Sequence, residues 1–175
     1  MDSSDFHVFL AGRSSVRDFT GEPVAEEDLD YILKCASTAP SAGNLEAWDV
    51  VVVTDEETRE ALSEVAFNQE HIRQAPLILC VCSNYVRAMS RYGERGILYA
   101  LEDATIACTY MMLAAQARGF SSCWTGAFDD EGVREVLDLP QHLRPVALLA
   151  VGKGKEPAQS PPRMAVGEHV HRESW

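Results

Sequence analysis

Residues 104–126 read ATIACTYMMLAAQARGFSSCWTG, and this stretch carries most of the information about the fold. It begins inside a helix that we expect over residues 97–118, apolar on nearly every side and ending at Gly119. A short strand is predicted directly after it, over Ser121–Thr125. A helix without a polar face needs protein all round it. We therefore expect it either at the centre of a monomer or packed against a second copy of the chain.

Three further apolar runs predict strands that are buried on both faces: residues 48–54, 77–82 and 145–151. Helical periodicity and end signals predict helices over residues 6–12, 25–38 and 131–137. Thr54 to Glu57 fits a capping box, so another helix is expected up to Val65. Residues 83–96 show no regular pattern and are expected to be less ordered in secondary structure.

Composition restricts the class of protein. The chain has 175 residues, 46% of them apolar and 24% charged, which is typical of one globular domain over residues 1–175. The net charge of −12 argues against nucleic-acid binding, because phosphate neutralisation requires a basic face. The most apolar helical stretch is interrupted by Glu102 and Asp103, so we expect it to be too short and too weakly hydrophobic to cross a membrane.

The cysteines and the N-terminus indicate the compartment. Four of the five cysteines lie in apolar runs and none forms a CxxC pair, which favours reduced, mostly buried thiols. The N-terminus is acidic and lacks the apolar core of a signal peptide. Together these features predict a cytoplasmic protein.

Common catalytic motifs are missing from the sequence. The five histidines and five cysteines show no HExxH or paired-cysteine spacing, so no metal site is predicted. There is no GxSxG nucleophile motif and no GxGxxG fingerprint. Residues 152–155 contain GKGK, but they lack the remaining pattern of a phosphate loop. We therefore predict no catalytic side chain.

Three segments have features suited to an anionic, planar ligand. In an extended chain Arg13, Ser15 and Arg17 project to one face, where they could clamp a phosphate, although a solvated surface turn would show the same residues. Residues 40–44 form a loop of small and polar groups, which could equally be a simple helix exit. Gly126 ends a strand and would let main chain approach a ligand, or would only form a turn after a buried tryptophan.

Taken in order, these segments resemble the nitroreductase family of flavoproteins. Residues 13–19 with Pro23-Val24 resemble its opening R-x-S-x-R-x-F and P-V, and residues 39–48 resemble its A-P-S-x-x-N-x-Q-P-W. Residues 119–126 resemble its G-L-x-S-x-W-x-G, and the strand ending at Gly152, Glu156-Pro157 and Arg163 resemble its closing strand and tail. The resemblance covers nearly the whole chain.

The resemblance implies an α+β fold, with a central, mostly antiparallel sheet flanked by helices, in an intertwined homodimer. FMN would lie at the dimer interface, and residues 153–175 would form an arm that wraps the partner subunit. The cofactor-binding positions that it implies are Arg13, Ser14, Ser15, Arg17, Pro40, Ser41, Asn44, Trp124, Thr125, Gly126 and Arg163.

The resemblance also implies individual roles. Arg13 and Ser15 match positions at the phosphate and ribityl chain, and Arg163 matches a second phosphate-binding cation. Arg17 matches a cation at the pyrimidine edge, where positive charge stabilises the reduced anion. Ser41, from the partner subunit, and Asn44 match residues lining the flavin. Trp124 lies in the motif whose next two residues, Thr125 and Gly126, match main chain near N5.

The activity implied is an FMN-dependent NAD(P)H oxidoreductase. A hydride would pass from NADH or NADPH through flavin N5 to a nitroaromatic, quinone or similar small conjugated acceptor, by a ping-pong mechanism. Two alternatives stay open. One is an enzyme of the same fold with another specificity, dehalogenase-like or deazaflavin-dependent, to which the aromatic and basic residues 85–99 would be suited. The other is a non-catalytic FMN-binding protein.

Two positions depart from the family pattern. Where the family has Q-P before the tryptophan, this chain has Glu46 and Ala47. A carboxylate facing the flavin would lower its reduction potential, whereas one facing solvent would have no effect. The sequence leaves both orientations of Glu46 open.

Overall fold

A four-stranded sheet forms the middle of the molecule. The structure, a computed structural model, describes residues 2–155 and 162–175; the match at Glu156 and Pro157 lies outside them. The strands have the order β1-β2-β4-β3, and each neighbouring pair is antiparallel. They are β1 (Trp48–Val53), β2 (Leu77–Asn84), β3 (Ser121–Thr125) and β4 (Leu143–Gly152). The α+β class and the antiparallel sheet are thus confirmed.

Helices cover both faces of this sheet. Within the described residues they are α1 (Ser3–Ala11), α2 (Glu26–Ala36), α3 (Glu56–Val65), α4 (Glu70–Gln74), α5 (Tyr85–Tyr92), α6 (Arg95–Ala117) and α7 (Asp130–Val136). Helix α6 packs against α2 and the sheet on one face, while α3, α4 and α7 pack together over the other. Alternate residues of β2 enter the two resulting cores, since Ile78 faces the α3 side and Leu79 the α6 side.

Strand β2 is fully buried, as predicted, but the prediction of a doubly buried β1 is wrong. β1 is an edge strand, paired on one side only by β2. Val52 is exposed and Val50 and Val51 are half-buried, so only Val53 is buried among its four valines. A run of β-branched residues specifies an extended chain, whereas its place in the sheet depends on the other strands.

Three local predictions need correction. Residues 85–92 form the regular helix α5, capped by the Asn84 side chain, which accepts from the Arg87 N–H at 3.1 Å. The N-cap of α3 is Asp55 rather than Thr54, and its carboxylate accepts from the Thr58 N–H at 2.9 Å. The short helix α4 was not expected. A helix of five residues has little more than one turn, which is too short for helical periodicity to be recognised in the sequence.

Helix α6 is buried on one face only within this chain. Small residues such as Ala100, Ala104 and Ala107 are fully buried against the protein, whereas Leu98 and Leu101 are 45% and 40% exposed. The expectation of a central helix in a monomer is therefore wrong. By length and hydropathy α6 is also the one helix, among the described residues, that could cross a membrane, so the expectation that it is too short for that is wrong too. A core helix satisfies the same two criteria.

Candidate functional site

Residues 13–17 lie alongside β3, the opposite edge of the sheet from β1. The Val16 N–H donates to the Ser122 carbonyl at 3.0 Å, and Ser15 forms an isolated parallel bridge with Ser122. Val16 is 1% exposed and anchors the segment in the core. Because side chains alternate along extended chain, burial of Val16 turns Ser15 and Arg17 away from the core.

The two arginines of this segment have no carboxylate partner. Within residues 2–155 and 162–175, ion pairs involve Arg73, Arg87, Arg118, Arg134 and Arg144, but neither Arg13 nor Arg17. Burial raises the pKa of the Cys123 thiol, and the charges of Arg17 and Arg13 oppose that shift. Both guanidinium groups therefore act on the same part of β3. We call Arg13, Ser15 and Arg17 the β3 clamp.

A buried histidine lies behind the β3 clamp. Nε2 of His71 is 2.7 Å from the Thr125 hydroxyl, and His71 is only 5% exposed. Burial lowers the pKa of His71, and the positive charge of Arg17 lowers it further, so the ring is neutral at pH 7. In the sequence this histidine stood out only as a possible metal ligand. Its position six residues before the fully buried strand β2 was the available signal that it would be buried.

The predicted residues of β3 divide between the two faces of the sheet. Trp124 packs partly buried in the core on the α6 side, whereas Thr125 faces His71 on the other side. Gly126 is exposed just beyond the strand, and a Cβ built there would lie 3.6 Å from Nε1 of Trp124. Main chain at Gly126 is thus open to a ligand, whereas Thr125 is buried.

The loop of residues 40–44 is held by a buried carboxylate, which in the sequence stood out only as an interruption of an apolar helix. Asp103 of α6 is 2% exposed and accepts from the N–H groups of Ala42 at 2.8 Å and Ala47 at 3.1 Å. Proline, the family residue at position 47, could not donate this second bond. The acidic pair Glu102 and Asp103 in an otherwise apolar part of the helix was the available signal.

The predicted site residues of this loop differ in hydrogen bonding and in exposure to solvent. The Ser41 hydroxyl accepts from the Glu46 N–H at 3.0 Å, so it shapes the turn. Asn44 has a φ of 58° and is exposed, as are Pro40 and Glu46. Glu46 therefore faces solvent in the single chain. Polar groups of the loop are accessible without any movement of the main chain.

The loop and the β3 clamp are far apart in one chain. The loop leads into β1 and the clamp flanks β3, so three strand spacings, about 14 Å, separate the two edges. Along α6, the loop contacts Asp103 and the clamp lies near Gln116, which are about 20 Å apart at 1.5 Å per residue. One chain therefore does not bring the two groups of predicted site residues together.

Arg163 lies in the C-terminal tail, outside any helix or strand. It is exposed, and within the described parts of the chain no hydrogen bond or ion pair ties it to the clamp or the loop. Apolar side chains of the same tail are exposed as well, including Met164 at 60% and Trp175 at 99%. The arm predicted over residues 153–175 includes residues that the structure does not describe.

The donor set of the clamp fits the phosphate end of FMN. Two unpaired guanidinium groups and a hydroxyl are suited to phosphate oxygens. The cleft beside Arg13 also contains Gln116, whose Oε1 is buried and has no hydrogen-bond partner among the described residues, so it could accept from a ligand hydroxyl. The cleft measures only about 20 Å³, so one chain offers polar contacts rather than a closed pocket.

Metal chemistry has no comparable basis in the parts of the chain that the structure describes. No group of three or more histidine, cysteine or acidic side chains is placed there to hold a metal ion. The cysteines are free, and four of the five are buried. The anion-binding clamp thus remains the leading candidate site.

The fold and the clamp define an α+β protein with two arginines and a hydroxyl grouped at one edge of its antiparallel sheet. The family model described as "Nitroreductase family" matches residues 10–70 and 60–153. The chain therefore belongs to the nitroreductase family, which confirms the resemblance seen in the sequence.

Individual relatives support this assignment over most of the chain. An FMN reductase [NAD(P)H] of Bacillus subtilis is 30% identical over 95% of this chain and 72% of its own length. A NADH dehydrogenase of Thermus thermophilus is 33% identical over 80% of this chain and 82% of its own. The solved structure of B. megaterium NfrA2 superposes with a TM-score of 0.91 and 31% identity, over 100% of this chain and 76% of that one.

Proposed function

We propose that this protein is an FMN-dependent NAD(P)H oxidoreductase. Membership of the nitroreductase family supports this function, as do relatives named FMN reductase and NADH dehydrogenase. The single observation that carries it is the β3 clamp, in which two arginines flank a hydroxyl on one extended segment and have no carboxylate partner among the described residues. The chain has a net charge of −12 and therefore many acidic residues that could have paired with these arginines. Because their positive charge is left available instead, the clamp favours an anionic ligand.

The chain's own residues bind and orient the cofactor. When bound, FMN supplies the redox chemistry, taking a hydride from a reduced nicotinamide and passing two electrons to a small conjugated acceptor. Arg13 and Ser15 hold its phosphate and ribityl end, with Arg163 as a further cation, and the Ser14 main chain lies in the same segment. Arg17 supplies positive charge at the pyrimidine edge. No side chain need act as an acid or a base. If the electron donor and the acceptor bind in turn at the same face of the flavin, the kinetics would be ping-pong.

The complete site is formed by two subunits. Ser41 and Asn44 lie at the far edge of the sheet from the clamp, so a partner subunit must supply the loop that lines the same flavin. The exposed apolar face of α6 supports such a dimer, because Leu98 and Leu101 need cover. We infer that the arm over residues 153–175 wraps the partner of this single-domain protein, in the cytoplasm.

A spectroscopic titration tests the proposed function. The purified protein is mixed with FMN, desalted, and titrated anaerobically with NADH and with NADPH while visible absorption is followed. We expect about one flavin per subunit, bleached by at least one donor. Retained flavin that neither donor bleaches would favour a deazaflavin donor or a carrier without catalysis. Loss of all flavin on desalting would refute the assignment of the clamp.

A further inference from the structure

The corner between α5 and α6 brings two arginines and two tyrosines together beside the loop of residues 40–44. The rings of Tyr92 and Tyr99 meet edge to face, with centroids 5.0 Å apart. Arg91 lies over the Tyr92 ring at 5.6 Å, and Arg95 lies over the Tyr99 ring at 5.4 Å. Nε of Arg95 also donates to the Tyr99 hydroxyl at 2.8 Å, so this guanidinium group is oriented by a hydrogen bond as well as by the ring contact. We call these four residues the Arg–Tyr corner.

Two glycines bring the Arg–Tyr corner into direct contact with the loop. A Cβ at Gly96 would lie 2.6 Å from the main-chain carbon of Ala88, so glycine allows α6 to start tightly against α5. A Cβ at Gly43 would lie 2.3 Å from the Tyr92 hydroxyl, and Nη1 of Arg91 donates to the Gly43 carbonyl at 3.3 Å. The Arg–Tyr corner therefore packs directly against the loop.

The charges of the corner are not neutralised by ion pairs. Within residues 2–155 and 162–175, neither Arg91 nor Arg95 makes an ion pair, whereas neighbouring Arg87 pairs with Asp49 at 3.0 Å. Glu102 is the acidic residue that acts on Arg95, from beyond ion-pairing distance. Two accessible guanidinium groups beside aromatic rings are suited to a ligand that combines a planar ring with an anionic group.

We propose that the Arg–Tyr corner binds the electron acceptor and selects planar rings that carry an anionic group such as a carboxylate. Arg91 and Arg95 bind the anionic group, while Tyr92 and Tyr99 lie along the ring. A cleft of about 200 Å³ next to the corner offers space for the ring; it is lined by Tyr99, by residues 40–42 of the loop, and by Glu102, Asp103 and Ile106 of α6. Because two of these residues are carboxylates, the anionic group must point away from the cleft, towards Arg91 and Arg95. This inference rests on the proposed function, because the loop is the segment expected to line the flavin.

The test compares two ligands that differ only in charge. Oxidised, FMN-loaded protein is titrated with 4-nitrobenzoate and with neutral 4-nitrobenzamide, and the change in flavin absorption reports binding. We expect the wild type to prefer the benzoate. The double variant Arg91→Gln/Arg95→Gln should bind the benzoate about tenfold more weakly, since charge-assisted hydrogen bonds are lost, and bind the benzamide unchanged.

Controls separate charge from damage to the fold. Lys34→Gln removes one exposed positive charge elsewhere and should leave the preference intact, while Arg95→Lys should retain part of it. Arg95→Gln alone should lower the preference without removing the bond between Arg91 and Gly43. A wild type without preference, or equal weakening of both ligands in the double variant, would overturn the proposal. The proposal would also be overturned if the double variant changed only the KM of NADH or NADPH.

The binding titration does not depend on turnover. Flavin that neither nicotinamide reduces would refute the proposed function, yet the two nitro compounds would still be compared on the oxidised protein. If the protein retains no flavin, calorimetric titration of the same two compounds measures the same preference. In either case a benzoate preference that the double variant loses supports the corner, and its absence overturns it.

Discussion

At the scale of single residues, Arg13 and Arg17 are each other's best controls. They lie four residues apart on one extended segment, and both lack an ion-pair partner in the part of the chain described. They are expected at different ends of the flavin, so their removal should change different properties. One experiment on each residue can therefore locate both.

Arg17→Ala should lower the reduction potential of the bound flavin by about 30 mV with little loss of affinity. The reason is that a cation near the pyrimidine stabilises the reduced anion, and 30 mV corresponds to about 1.4 kcal/mol for two electrons. Potentials are measured by equilibration with redox dyes, with Arg13→Ala as the control. An unchanged potential would remove Arg17 from the pyrimidine edge.

Arg13→Ala should weaken FMN about tenfold and riboflavin much less. Only FMN has the phosphate with which the guanidinium can form charge-assisted hydrogen bonds. Dissociation constants for both flavins are measured by fluorescence quenching, alongside Arg17→Ala. Equal weakening of FMN and riboflavin would contradict a phosphate contact.

His71 should make stability depend on pH. Burial and then Arg17 lower its pKa in the folded state, so protonation favours the unfolded chain. Its contribution is present above the ordinary histidine pKa of about 6.5 and is lost as pH falls through the folded-state pKa. Urea unfolding of the wild type and of His71→Gln, from pH 7.5 to 5, checks this. The variant should lose less stability over that range; parallel curves would show that His71 does not titrate on unfolding.

Among the helices, strands and loops, the most informative contact is the one by which Asp103 holds the 40–44 loop against α6. The loop contains left-handed residues at Gly43 and Asn44, and besides Asp103 it contacts Arg91 of α5. A carboxylate buried in an apolar helix is costly unless it is hydrogen-bonded, and the two donors are the N–H groups of Ala42 in the loop and of Ala47 just after it. Helix and loop therefore stabilise each other.

Asp103→Asn should lower the free energy of unfolding by about 1–3 kcal/mol. An amide keeps one acceptor oxygen and turns an NH₂ group towards the other N–H, which leaves a buried donor unpaired. The matched control is Glu102→Gln, one residue earlier and exposed, which should change stability by less than about 0.5 kcal/mol. Urea denaturation measures both, and equal effects of the two variants would argue against this role for Asp103.

At the scale of the whole molecule, the exposed face of α6 and the split site have one explanation. A second copy would cover Leu98 and Leu101 and bring a 40–44 loop to each β3 clamp. Assembly and cofactor binding should then be coupled, because ligand binding stabilises only the state that contains the complete site.

Leu101→Glu should therefore shift the protein to monomer and weaken FMN about tenfold or more, even though residue 101 is not in the clamp. A charge buried in an apolar interface is costly unless it is paired. Analytical ultracentrifugation gives the oligomeric state and desalting gives the flavin content. Val86→Glu, on exposed α5, is the control. A monomer that retained full FMN affinity would contradict a site shared between subunits.

The sequence alone predicted some helices, strands and site residues correctly and others not. It determined β2, β3, β4 and the long helix, because periodicity and apolar runs are local properties. It also determined the family and the residues of the β3 clamp, since these residues lie close together along the chain. The sequence placed α5 among irregular segments, although Tyr85, Ala88, Met89 and Tyr92 have helical spacing. Two arginines and a serine within only eight residues hid this short apolar stripe.

Only the tertiary structure decided which groups face one another. It moved β1 to an edge, buried Asp103 under the loop, and placed His71 against Thr125, 54 residues apart along the chain. It also put the two halves of the candidate site at opposite edges of the sheet. The physical reason is that burial and pairing depend on contacts between distant segments, which local patterns of polarity do not encode.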